Sequence, residues 1–165
     1  GLNIDSNQGD KQILDLLIKC GAEVNVYDKY IEVKKNQLKS FTFDATDVPD
    51  LIPPLTVLAS SCDGESYIYG TDRLINKESN RALSLEKEFS KLGVRIISKK
   101  NCFKIIGCNK IKGGYVDSHN DHRIAMALSV MATVAKTPVA ITNSSVVDKS
   151  NSRFYNDLDK ISKLN

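Results

Sequence analysis

The sequence predicts an α/β (α+β) layered fold built from two related units, and three observations predict it. Apolar stripes of helical period alternate with short runs of β-type residues along the 165-residue chain, the pattern of helices laid against sheet. That pattern recurs at a constant offset of 72 positions, seen first in Gly21 and Gly93, each of which stops a helical stripe. A composition of 41% apolar and 26% charged residues is that of a soluble globular chain rather than a disordered one. No apolar run approaches the ~18 residues of a membrane span; the longest, residues 124–134, reads as a buried helix.

The elements follow in order. Ile13, Leu16, Leu17 and Cys20 stand at i, i+3, i+4 and i+7, one face of a first helix, with Asp10 placed to cap its start and Gly21 to end it. Residues 24–27 and 30–33 read as a hairpin turning at Asp28 and Lys29. A helix is expected around residues 54–61, then a short strand at Tyr67, Ile68 and Tyr69. Ala82, Leu85, Phe89 and Leu92 form the next stripe, which Gly93 stops before strands at 94–97 and 103–106. The helix recurs at 126–133 and the short strand at Val139, Ala140 and Ile141. Phe154, Leu158 and Ile161 share one face of a terminal helix over residues 154–164. At the 72-residue offset LLIKCGAEV (16–24) faces EFSKLGVRI (88–96), and Lys77 faces Lys149. Two units of about residues 10–80 and 82–152, plus the terminal helix, imply a duplicated scaffold rather than a solenoid.

Charge and cysteine content narrow the function classes. A net charge of +3, from 23 basic and 20 acidic residues, is too balanced for a basic nucleic-acid stripe, and nothing points to a membrane partner. The pairs Lys34-Lys35 and Lys99-Lys100 read as solvated turns. None of Cys20, Cys62, Cys102 and Cys108 forms a C-x-x-C, and Cys20 and Cys62 fall on apolar helical faces as core residues. A reduced, cytoplasmic protein is expected, and separately a monomer. Residues 1–5 lack an initiator Met and any signal or transit pattern, and read as a cut end.

Four polar clusters carry candidate chemistry. In the first, Asp44, Asp47 and Asp50 fit a divalent metal, or a turn at Asp47 with Asp50 capping the following helix, or a catalytic carboxylate at Asp50; Pro49 breaks any single helix through all three. In the second, Arg73 precedes Lys77, Glu78 and Arg81. Lys77 and Arg81 are four apart and share a face if helical. Two cations at a helix start oppose the dipole, which an occupying anion would offset; a solvated charged face is the plainer reading. The third holds the two imidazoles of the chain, His119 and His122, followed by Arg123 at the start of an apolar helix. A metal there lacks a third ligand of standard spacing, apart from a group of Asp44, Asp47, Asp50 and His119. An anion at Arg123 would have both the guanidinium fork and free amides. The fourth is Asp148-Lys149-Ser150. If Lys77, Arg81, Arg123 and Lys149 converge, they form a site for a multiply charged anion.

These residues carry a resemblance. Asn120-Asp121-His122-Arg123-Ile124-Ala125-Met126, Lys77-Glu78-Ser79-Asn80-Arg81, Pro49-Asp50, Gln8-Gly9-Asp10 and Lys149-Ser150 are similar, in order and across residues 8–150, to the motifs of the EPSP synthase (3-phosphoshikimate 1-carboxyvinyltransferase) family. The resemblance implies an inverse α/β barrel-like enolpyruvyl transferase domain of repeated βαβαββ units. It makes residues 1–165 part of the C-terminal domain, with the N-terminal domain absent and no turnover by the chain alone. It implies transfer of the enolpyruvyl group of phosphoenolpyruvate to shikimate 3-phosphate, with no metal or organic cofactor. The roles it implies are Asp50 as general base at the shikimate hydroxyl, Lys77 beside that hydroxyl and Glu78 at the methylene of phosphoenolpyruvate. Arg81, Arg123 and Lys149 would hold phosphoenolpyruvate, and Arg73, with Asp50 and Lys77, would contact shikimate 3-phosphate. The alternative is a non-catalytic binding module on the same repeated scaffold, whose cations would not converge.

Overall fold

The structure, a computed structural model, describes residues 5–34, 36–108 and 110–163. Residues 1–4, Lys35 and Leu164, which enter the readings of the chain start, the first basic pair and the terminal helix, lie outside the described residues.

A 3-10 turn at Gly9–Lys11 leads straight into helix α1 (Gln12–Lys19). Asp10 does not cap this helix: it lies inside the 3-10 turn, and no side chain caps either start. Gly21, at φ +96°, ends α1, with its N–H on the Ile18 carbonyl and the Ala22 N–H on that of Leu17, the closure that glycine permits. Strands β1 (Glu23–Val26) and β2 (Ile31–Lys34) pair antiparallel around a turn in which the Tyr27 N–H donates to the Tyr30 carbonyl. β3 (Thr42–Asp44), a 3-10 turn at Pro49–Leu51, α2 (Ile52–Ser60) and β4 (Glu65–Tyr69) follow. After a 3-10 turn at Thr71–Leu74 come α3 (Arg81–Lys91), β5 (Arg95–Lys99) and β6 (Cys102–Ile106). Gly93, at φ +86°, closes α3 as Gly21 closes α1. β7 (Gly114–Asp117), α4 (His122–Ala132), β8 (Val139–Thr142), a 3-10 stretch at Ser144–Lys149 and α5 (Phe154–Ser162) complete the order.

Moved by 72 positions, α1, β1, β2, β3 and α2 fall on α3, β5, β6, β7 and α4, and α3 falls on α5. A period has no origin, and strand pairing supplies one. β3, β4, β6 and β5 form one sheet in that order, with β3 and β4 parallel across α2 and β4 and β6 antiparallel. One complete β-α-β-α-β-β run therefore occupies residues 42–106 and passes through residues 80–82, where a period counted from residue 10 sets its boundary.

The core lies between the sheet and the helices. Ile52, Leu55, Leu85, Phe89, Phe103, Ile105, Ile124 and Leu128 are buried in one cluster. α2 is buried on nearly every side, and its Thr56 and Ser60 hydroxyls donate to the Ile52 and Thr56 carbonyls at 2.9 and 2.6 Å, which removes the cost of burying them. Pro53 and Pro54 sit in its first turn, where a missing N–H breaks no helical bond. Cys20 and Cys62 are core residues; burial and the neighbouring Cys20 thiol push the Cys62 thiol up to about 12, leaving it unreactive. In α5 Phe154 packs on Ala125, Val146 and Val147, whereas Ile161 is exposed, so the terminal helix is seated by its first turn. Among the described residues no helix is long and apolar enough to cross a membrane.

Candidate active site

The 3-10 turn ahead of α2, the segment ahead of α3 and the first turn of α4 meet at Asp50. Its Oδ1 accepts from Arg81 Nη1 at 3.0 Å and lies 3.7 Å from Lys77 Nζ; its Oδ2 accepts from Arg123 Nη2 at 2.8 Å. Arg123 Nη1 also donates to the Asp50 backbone carbonyl at 3.2 Å. Asp50 thus makes no helix cap: three cations claim its carboxylate. Lys77 does not share a helix with Arg81. The Asn80 side chain accepts the Leu83 N–H at 3.2 Å and starts α3 at Arg81, so Lys77 and Glu78 lie in the turn before it.

Arg81 is only 1% exposed. Its Nε donates to Asp121 Oδ2 at 2.8 Å, and its Nη2 contacts the Glu78 carboxylate. Asp121 is fully buried, takes the Ser79 hydroxyl at 3.0 Å, and caps α4 by accepting the Arg123 N–H at 2.9 Å. The Arg123 amide, expected to be free for an anion, is therefore already taken. The Nη side of Arg81 differs from its Nε side: Asp50 and Glu78 are 35% and 50% exposed, so this side is open to solvent.

Lys149 joins through a neighbour, its Nζ donating to Asn120 Oδ1 at 3.4 Å. Arg73 is exposed on its 3-10 turn and, among the described residues, makes no hydrogen bond or ion pair with this cluster. The acidic residues do not gather for a metal: Asp44 accepts the Thr46 N–H and hydroxyl at 3.0 and 2.6 Å, and His119 Nε2 lies 2.9 Å from buried Glu88. Among the described residues no group of three or more His, Cys, Asp or Glu is placed to hold an ion. Lys77, Arg81 and Arg123 meet on one carboxylate, which is not the scatter of a bare scaffold.

Two buried carboxylates receive no role in the sequence reading. Asp121 stands one residue ahead of an apolar helix, the position of a cap. Glu88 stands on the core stripe of α3, opposite Leu16 at the 72-residue offset, and a carboxylate in an apolar slot is the signal that finds it. Burial raises the Asp121 carboxyl, but the Arg81 guanidinium, the Arg123 N–H and the Ser79 hydroxyl together hold it below the ordinary range. A carboxyl lowered on folding adds stability that is complete above its unfolded value, ~4, and disappears as pH falls through its folded value. Asp121→Asn should therefore flatten the acid limb of urea midpoints measured from about pH 5 to about pH 2; a limb as steep as that of the wild type rejects the assignment.

A sequence model of the family described as EPSP synthase (3-phosphoshikimate 1-carboxyvinyltransferase) matches residues 1–158. The chain is 43% identical over 160 residues to a 3-phosphoshikimate 1-carboxyvinyltransferase of Clostridium novyi, covering 97% of this chain and 37% of that protein. It is 38% identical over 157 residues to one of Pyrococcus abyssi, covering 95% of this chain and 38% of that protein. The chain thus spans under two fifths of the length of these relatives. Among solved structures, an EPSP synthase from Acinetobacter baumannii superposes with a TM-score of 0.81 over 90% of this chain and 38% of that chain, at 24% identity. With the family's sequence pattern matched along nearly its whole length and the enolpyruvyl transferase fold matched independently, the chain belongs to the EPSP synthase (3-phosphoshikimate 1-carboxyvinyltransferase) family.

Proposed function

We propose that these residues form the phosphoenolpyruvate side of an enzyme that transfers enolpyruvyl to shikimate 3-phosphate and releases inorganic phosphate. The observation that carries the reading is the meeting of Lys77, Arg81 and Arg123 on the single carboxylate of Asp50. Among the described residues Asp50 is the one carboxylate paired with Lys77 and Arg123, so an anion that displaces it gains both cations together with Arg81 Nη1, donors suited to a phosphate and a carboxylate. In this reading Arg123, the Nη atoms of Arg81 and Lys149 take phosphoenolpyruvate, and Arg73 faces the 3-phosphate. Asp50, exchanged from its cations by the incoming anion, accepts the proton of the shikimate hydroxyl beside Lys77 as that oxygen bonds to the central carbon of phosphoenolpyruvate. Glu78 gives a proton to the methylene carbon. Loss of a proton from the resulting methyl group and departure of phosphate then restore the double bond. Two carboxyl groups in distinct surroundings suit a step that takes one proton and gives another. No step requires a metal or an organic cofactor.

The same reading makes residues 1–165 part of the C-terminal domain of a cytoplasmic, monomeric enzyme. The remaining substrate contacts then come from that enzyme's N-terminal domain, and the chain alone binds phosphoenolpyruvate weakly without turning over. Two measurements test the proposal: calorimetric titration of phosphoenolpyruvate into the chain, and phosphate release by a hybrid in which the chain replaces the matching 37% of the Clostridium novyi relative. Arg123→Ala is expected to lower affinity about 10- to 100-fold, from the ~1.5–3 kcal/mol of a charge-assisted contact. A hybrid whose rate and affinity are unchanged by Arg123→Ala would reject the anion site.

A further inference from the structure

We infer that Glu88 is a positioning residue for the phosphoenolpyruvate site, holding through His119 the bent segment that aims Asn120 and Asp121 at the site's cations. The inference rests on the functional reading above.

Glu88 is fully buried on the core face of α3, where the position matched at the 72-residue offset carries Leu16, itself buried. A carboxylate in an apolar slot costs stability unless donors satisfy it, so its donors show its use. One is Lys91 Nζ at 2.6 Å, at the rim of the slot. The other two belong to the end of β7 and the segment that follows it: the Asp117 N–H at 2.8 Å and His119 Nε2 at 2.9 Å. These donors oppose the burial penalty and hold the Glu88 carboxyl below its ordinary range.

That segment needs holding. His119 and Asn120 adopt φ +52° and +55° in succession; histidine and asparagine enter the left-handed region more readily than most residues, but non-glycine residues visit it singly rather than side by side. The bend turns the next two side chains to the site. Asn120 Oδ1 accepts from Lys149 Nζ at 3.4 Å and from Asn143 Nδ2 at 3.1 Å. Asp121 clamps Arg81 and caps Arg123. Glu88 grips the bend at its beginning, Asp117, and at its apex, His119. The segment matched at the 72-residue offset, residues 45–51, has no left-handed residue, and the position matched to Glu88 is a leucine, Leu16. Carboxylate and bend occur together in the copy of the 72-residue period that presents Asp121 and Arg123.

The test uses this chain and three variants. Glu88→Leu installs the residue that the matched slot already accommodates, so the thermal midpoint should stay near that of the wild type. His119→Ala removes the same link from a half-buried position outside the core, which keeps the test open if Glu88→Leu fails to fold. Glu88→Gln keeps an acceptor for the Asp117 N–H and an amide for the His119 ring. Phosphoenolpyruvate titrations should show affinity falling about tenfold in Glu88→Leu and His119→Ala, the scale at which a ligand-orienting neighbour acts, with Glu88→Gln close to the wild type. With only two histidines in the chain, ring resonances report the segment directly, and that of His119 should shift in Glu88→Leu before ligand is added. Wild-type affinity in Glu88→Leu or His119→Ala overturns the inference. A wild-type chain that takes up no phosphoenolpyruvate rejects the anion site itself, and this role with it.

Discussion

Asp50→Asn is expected to separate binding from turnover. Arg123 Nη2, Arg81 Nη1 and Lys77 Nζ all point at this carboxylate, at 2.8, 3.0 and 3.7 Å, so Asp50 occupies the charge that phosphoenolpyruvate would use. Removing its negative charge removes an internal competitor, and the chain should bind phosphoenolpyruvate more tightly in calorimetry. The same change removes the group proposed to take the hydroxyl proton, and general-base loss costs about 10²- to 10⁴-fold in rate. Phosphate release by the hybrid should fall by that order while affinity rises. If affinity and rate fall together, Asp50 holds the cations in place rather than competing for them, and its assignment as base loses its support.

Arg81→Leu is expected to be the most destabilising of the site substitutions. The guanidinium is buried and donates to three carboxylates, one of them, Asp121, without solvent exposure. Removing one partner of a buried ion pair strands the other charge, at a cost of about 3–5 kcal/mol. Asp121 keeps the Ser79 hydroxyl and the Arg123 N–H, which places the expected loss toward the lower end. The urea midpoint of the variant gives the measurement, converted through the slope of the transition. Arg81→Leu combined with Asp121→Asn should be more stable than Arg81→Leu alone, because the stranded charge is gone. A single variant with the wild-type midpoint would show Arg81 to be an exposed ligand without a structural part.

The two effects differ in kind because Arg81 faces two environments. Its Nε is locked on a fully buried carboxylate, while its Nη atoms face carboxylates that are a third to a half exposed. The K-E-S-N-R motif identifies the residue and says nothing of this division. Nor does it show that the motif breaks at Asn80, whose cap puts Lys77 and Arg81 on different elements. Glu88 was legible only by laying one unit on the other, because a carboxylate on a helical stripe means little until its twin is seen to be a buried leucine.

The sequence by itself determined the 72-residue period, the helices stopped at Gly21 and Gly93, the apolar helices α2 and α4, and which residues carry charge near their starts. All of these depend on side-chain periodicity and turn chemistry within a few positions of each other. Only the tertiary structure decided where each unit begins and which charges meet. The pairing of β4 with β6 sets the origin of the repeat. The arginines hydrogen-bonded to Asp50 stand 31 and 73 residues away, and Asp121 stands 40 residues from the Arg81 it accepts from. An ion pair follows from which elements a shared core holds together, and burial of Ile52, Leu85 and Ile124 in one cluster is what brings the starts of α2, α3 and α4 to one point.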